Sequence, residues 1–377
     1  MHELVLAGGR LIDPASGRDT VTDIAFSGGR VAEIADGLSG AERHDVAGCL
    51  VLPGLIDLHT HVYVGGTSLG VDPDDYARKG AVTTCVDTGS AGPGNFAGFR
   101  DHVIATARVR VLAYLHVSFA GIYAFSSRIM VGESGDMRLM APVDAVEVAR
   151  DNPDTIIGIK VRVGRNASGT SGIAPLDIAL EVADRAGLPL MAHIDEPPPT
   201  YADVVARLRP GDVLTHCCRP FPNAPVTGAG KLLDAVLAAR DRGVIFDVGH
   251  GKGSFSWPVA RAMAAAGFWP DVISSDVHTL CIDGPAHDLP TTMTKFLALG
   301  MELPALIQAV TEAPAAAIRR LDLGRLTPGG IGDASLLRLV DGPVALTDVQ
   351  GETVTHHQNL RPAGLVIGGR WVAPGAA

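Results

Sequence analysis

Basic runs, aromatic stripes and paired cysteines are all missing from this 377-residue sequence, and each absence removes a class of protein. Aromatic residues make up only 5% and the formal net charge is −10. With no lysine and arginine cluster interleaved with aromatics, nucleic acid and anionic membranes are poor partners. Five cysteines (Cys49, Cys85, Cys217, Cys218 and Cys281) stand at irregular spacings with no CxxC. That pattern argues against a disulfide framework and for a reducing compartment. No run of about 18 apolar residues is present to span a bilayer. The opening "MHELVLAGGRLIDP" lacks the basic segment and long apolar core of a signal peptide. A cytoplasmic setting is expected. No low-complexity linker and no long internal repeat interrupts the chain.

What is present is globular: 47% hydrophobic and 19% charged residues, enough for one large domain and a smaller one. From residue 53 to 322, short β-branched runs alternate with Ala-rich helical patterns. The expected strands are "LIDLHTH" (55–61), "VTTCVDTG" (82–89), "RVLAYLHVS" (110–118), "TIIGIKVRV" (155–163), "LPLMAHID" (188–195), "DVLTHCC" (212–218), "GVIFDVGHG" (243–251) and "DVISSDVH" (271–278). Residues 174–187 and 229–243 read as amphipathic helices with a Gly past the end. This α/β pattern over roughly 250 residues predicts a (β/α)₈ TIM barrel. An open doubly wound sheet is the alternative, but it predicts no gathering of polar residues at one mouth. Residues 1–52 and 323–377 instead carry turn-punctuated short strands, expected to form the two halves of one small β-sandwich. In them "AGGRLI" and "IGGRWV" read as tight hairpin turns.

Barrels of this kind carry their chemistry at the C-terminal ends of the strands. Strand one ends in His59 and His61, whose i, i+2 spacing lets two imidazoles leave one strand face toward a single metal ion. Strand four holds Lys160, strand five His193, strand six His216 and strand eight Asp276. Each alone has a bland explanation; Asp276, for example, could cap a helix. Lys160 is harder to dismiss. An ammonium among Ile156, Ile157, Ile159, Val161 and Val163 is desolvated and must be paired or lose its charge. Together the six make coincidence a poor account.

The set resembles that of the amidohydrolase superfamily, the binuclear metallohydrolases related to dihydroorotases, hydantoinases and ureases, and the likeness runs the whole length of the chain. The resemblance implies two divalent metal ions. His59, His61 and Asp276 would hold one and His193 and His216 the other, with Lys160, carboxylated by CO₂, bridging both. The carbamate also turns a stranded cation into an anionic ligand. Nitrogen and oxygen ligands with open positions suit zinc, though manganese, cobalt and iron accept the same types. Hydrolysis of an amide or ester carbonyl follows, with Asp276 as the proton carrier.

The substrate is read from departures. Dihydroorotases of the family continue the motif as HxHxR, but Tyr63 stands in the Arg position. Arg162, two residues after Lys160 and on the same strand face, offers a carboxylate anchor, or else a structural ion pair. His250, in the Gly-rich "DVGHGKGSFSW" (247–257), and His278 are further substrate-binding candidates. "DTGSAGPGNFAGF" (87–99) lacks the Walker lysine but could close over the mouth. Cys85 invites comparison with the D-aminoacylases of the superfamily, which use a strand-two cysteine as a metal ligand, but its mid-strand place, four residues before Gly89, suits core packing. "GIKVRV", "FDVGHGKGSFSW" and "ISSDVH" resemble a group often labelled dihydroorotase but similar to deacetylases. That implies a small carboxylate-bearing substrate with an acyl group on the adjacent oxygen or nitrogen. Cyclic amide hydrolysis and a non-catalytic scaffold are the rival readings, and a homo-oligomer is expected from the resemblance.

Overall fold

The structure, a computed structural model, describes residues 1–375. It is α/β: a parallel barrel flanked by a β-rich domain drawn from both termini. Seven barrel strands pair in sequence order: Leu55–Thr60, Val82–Thr88, Arg110–His116, Ile156–Val163, Leu190–Ile194, Val213–Thr215 and Ile245–Phe246. They are buried almost throughout, as parallel strands covered by helices must be. Ile56, Leu112, Met191, Val213 and Val272 fill the barrel around the strand starts, closed off by Ala315, Ile318 and Leu323.

The eighth expected strand, 271–278, is not a regular strand. Two isolated parallel bridges, Asp247 with Val272 and Thr60 with Val277, close the ring. The reason is local. Asp57, from strand one, accepts the Ser275 N–H (3.0 Å) and the Ser275 hydroxyl (2.5 Å), so a side chain replaces the ladder. The chain then turns through Asp276 at φ +49°.

Strands from both termini join in one eight-stranded sheet rather than two separately bonded ones. Leu50–Pro53 pairs with both His2–Asp13 and Ala334–Thr347, which stitches the ends together. "AGGRLI" is not a hairpin turn. It is a bulge inside His2–Asp13, at the point where that strand passes from pairing with Gly40–Asp45 to pairing with Leu50–Pro53. "IGGRWV" does turn, between Thr353–Ile367 and Arg370–Val372. Of the two expected helices, Ala174–Ala186 ends at Gly187 as expected, whereas the second begins only at Asp234 and runs to Asp241. The residues before it form a turn bridged by Val226 and Leu232. No helix among the described residues is long and apolar enough to cross a membrane.

Candidate metal centre

Eight of the nine residues singled out from sequence line one cavity of about 290 Å³: His59, His61, Lys160, Arg162, His193, His216, Asp276 and His278. Leu69, Ile122 and Phe125 supply its apolar wall. Asp276 Oδ1 lies 3.3 Å from the Nε2 atoms of both His59 and His61. One ligand atom from each of these three buried residues falls within 4.8 Å of the others. The His193 and His216 rings stand edge to face with centroids 4.4 Å apart, and His216 is 5.1 Å from His59.

The far sides of three of the imidazoles are already committed. The Thr215 hydroxyl donates to Asp247 (2.6 Å), so His59 Nδ1 must donate to Thr215 Oγ1 (2.7 Å) and keeps its Nε2 lone pair free. His216 Nδ1 donates to the Gly249 carbonyl at 2.7 Å. His61 Nδ1 meets Ser90 Oγ at 2.9 Å, and the Ser90 backbone N–H donates to Asp87 Oδ1 at 2.8 Å. The Thr215–Asp247 pair and Ser90, itself held through its backbone N–H by Asp87, thus orient the HxH imidazoles, as ligands need.

Electrostatics prepares the same atoms. Burial drives His59, His193 and His216 well below the ordinary imidazole range, and His61 to about 4, with neighbouring cations adding to the effect. Burial also lowers the Lys160 ammonium to about 7. Lys160 Nζ and His193 Nε2 are buried without any hydrogen-bond partner. Buried polar atoms without partners are costly, and a cation bound between neutral nitrogens and a carboxylate removes that cost. The donor set fits divalent metal.

The loop after strand seven approaches so closely that only glycine fits. A Cβ on Gly251 would lie 2.1 Å from Asp276 Oδ2, and one on Gly249 would lie 2.3 Å from Thr215 Oγ1. Both have positive φ, +50° and +46°.

His250, between them, is the residue the structure removes from the site. It is buried, stacked on Phe255 at 4.9 Å, with Nδ1 donating to the Gly251 carbonyl. Its Nε2 accepts from Lys295 Nζ at 2.6 Å, so it faces the seam with the terminal sheet. His278 stays at the cavity. Its Nδ1 accepts from Leu280 N (3.1 Å), which leaves the neutral ring's proton on Nε2. Tyr63 is not in the cavity wall; its ring lies tilted against Phe99, centroids 4.7 Å apart, and its hydroxyl donates to the Asn95 carbonyl. No residue of 87–99 lines the cavity; within the segment Gly89 packs against Lys160, and Ser90 holds His61. Cys85 is a buried thiol, its pKa raised by burial, in the core. Sequence reasoning missed Glu133, which binds Arg162 Nη1 at 3.1 Å from the loop after strand three. It carries no periodic signal.

The amidohydrolase family model matches residues 50–372. The chain is 34% identical over 357 residues to a deacetylase of Agrobacterium fabrum, covering 93% of this chain and 87% of that one. Among solved structures it is similar to an adenine deaminase (TM-score 0.91, 30% identity, 99% of this chain and 100% of the other). It is equally similar to a dihydroorotase (TM-score 0.91, 32% identity, 99% of each chain).

Proposed function

The chain belongs to the amidohydrolase family and is a metal-dependent hydrolase, and we propose that it removes an acyl group from a small carboxylate-bearing molecule. The observation that carries this reading is Arg162, a cation set in the wall of the same 290 Å³ cavity as the His59–His61–Asp276 cluster. The deacetylase relative favours acyl release over ring opening or deamination.

His59, His61 and Asp276 would hold one divalent ion and His193 and His216 a second, with Lys160 bridging as its carbamate. Zinc suits this donor set. Such ions acidify water and polarise a carbonyl. Burial raises the Asp276 carboxyl to about 6, against the pull of His278, Lys160 and Arg162. Beside the first ion, Asp276 would take a proton from the attacking water and return it to the leaving oxygen or nitrogen. Arg162 pairs with the substrate carboxylate, and His278 Nε2–H donates to an oxygen of the reacting group. Leu69, Ile122 and Phe125 exclude water from the apolar side. Five free, buried cysteines are consistent with work in the cytoplasm.

A hydrolysis screen tests this. Zinc- and bicarbonate-supplemented protein is offered N-acetyl amino acids and O-acetyl hydroxy acids, both enantiomers, beside dihydroorotate, hydantoins and adenine. Stereoselective acetate release with the rings untouched is expected. Ring opening or ammonia release without acyl release would sink the proposal.

A further inference from the structure

Arg162 does not stand free in the cavity wall. Glu133 Oε2 accepts from its Nη1 at 3.1 Å, and the Phe125 ring covers it with the guanidinium carbon 5.0 Å from the centroid. Among the described residues that is the guanidinium's one protein hydrogen bond, of the five donors an arginine carries. The remaining donors are left for the cavity.

Glu133 is itself fixed from behind. The Ser118 N–H donates to His116 Nδ1 at 2.9 Å, so the neutral His116 ring carries its proton on Nε2 and donates it to Glu133 Oε1 at 3.1 Å. Both carboxylate oxygens are thus engaged, with His116 and Glu133 fully buried. Burial alone would raise the Glu133 pKa; the Arg162 cation and the His116 hydrogen bond outweigh it and hold the group ionised. The segment that carries Glu133 and Phe125 is pinned at both sides. Ser68 Oγ donates to the Phe125 carbonyl (2.9 Å), and Ser134 N donates to the Ala167 carbonyl (3.1 Å).

One edge of the guanidinium is therefore occupied, one face is covered, and the other edge is open. We infer that Glu133, backed by His116, is a positioning residue that sets substrate charge: it fixes Arg162 and neutralises it in advance, so that the open edge takes one carboxylate and disfavours a second. This rests on reading Arg162 as the seat of the substrate carboxylate. An arginine without its glutamate would present an unbalanced positive field and welcome dianions.

Binding of unreactive acids reads the seat without turnover. Zinc-loaded protein is titrated calorimetrically with lactate and malate, hydroxy acids that differ by one carboxylate and carry no acyl group. Glu133→Gln should shift the ratio of the two affinities toward malate by about tenfold. Its thermal midpoint serves as the folding control. If that variant does not fold, His116→Phe, which loosens Glu133 but keeps its charge, should weaken lactate by about threefold. An unchanged ratio in folded Glu133→Gln, or unchanged lactate binding in His116→Phe, overturns the proposal while leaving Arg162 in place. If Arg162→Met binds both acids as the wild type does, the carboxylate seat itself is wrong and the proposal falls with it.

Discussion

Two lysines are buried in this molecule, and their surroundings are opposite. Lys295, at the seam between barrel and terminal sheet, donates to His250 Nε2 (2.6 Å), to the Thr347 carbonyl (2.7 Å) and to the Pro285 carbonyl (3.1 Å). Lys160, at the barrel mouth, donates to nothing. Burial lowers both to about 7, so the pKa alone does not tell them apart. The hydrogen-bond inventory does. A lysine with three acceptors is a fastener, because its N–H groups are tied to fixed dipoles on both sides of the seam. A lysine with none is left over for the site, where the proposed function gives it the bridge between two metal ions. The difference teaches that perturbed titration marks burial, whereas missing partners mark chemistry.

The largest effect should come from Lys160→Met. If Lys160 bridges two ions as proposed, activity is expected to fall by about a thousandfold or more, read by metal analysis and single-turnover assay. The metal-free protein should be no less stable than wild type, since an unpaired buried amine is replaced by an apolar chain of similar length. A clear loss of stability there would make Lys160 a fastener too and break the contrast.

Lys295→Met should reverse the pattern. Three acceptors lose their donor, so denaturant unfolding should show a loss of about 3 kcal/mol, with bound metal retained. His250→Phe removes one acceptor while keeping the stack on Phe255; about 1–2 kcal/mol is expected, again with metal content unchanged. Metal loss in His250→Phe would return that histidine to the site.

The last effect is a slope. The Lys295 pKa is lowered by burial, partly opposed by Asp348, from 10.5 to about 7. Between about pH 7 and 10.5 the unfolded chain therefore holds a proton that the folded chain has released. Stability should rise with pH across that window, by at most about 1.4 kcal/mol per pH unit. Below pH 7 the contribution is flat. Unfolding of metal-loaded wild type and Lys295→Met at pH 7.5 and 9.5 isolates it; identical slopes would mean that the three acceptors keep the ammonium charged.

Much of this was legible in the sequence because strand positions and their end residues are local facts. "GIKVRV" is strand four of the barrel, and the polar residues at the strand ends meet in one cavity because parallel strands bring them there. What escaped depends on distant partners. The irregular eighth strand needs Asp57, which is 218 residues away from Ser275. His250 stood in a Gly-rich phrase suited to substrate contact, but Lys295, 45 residues further on, claims its ring. Glu133 sits 29 residues from Arg162 in a loop without periodicity, so neither could announce the other. The double glycine at 8–9 fits a turn or a bulge equally, and only the change of partner strand decides.

For directed evolution, the close approach of residues 249 and 251 to the ligand side chains is a map of where not to look. Any library there is spent on variants that displace Thr215 or Asp276 before selection begins. Diversity belongs in the roof, where Phe119, Tyr123, Ile129 and Met130 lie open to solvent on the segment that carries Ile122 and Phe125 to the cavity. New substrates can be sought by rewriting that cover while the metal-holding frame beneath is inherited unchanged.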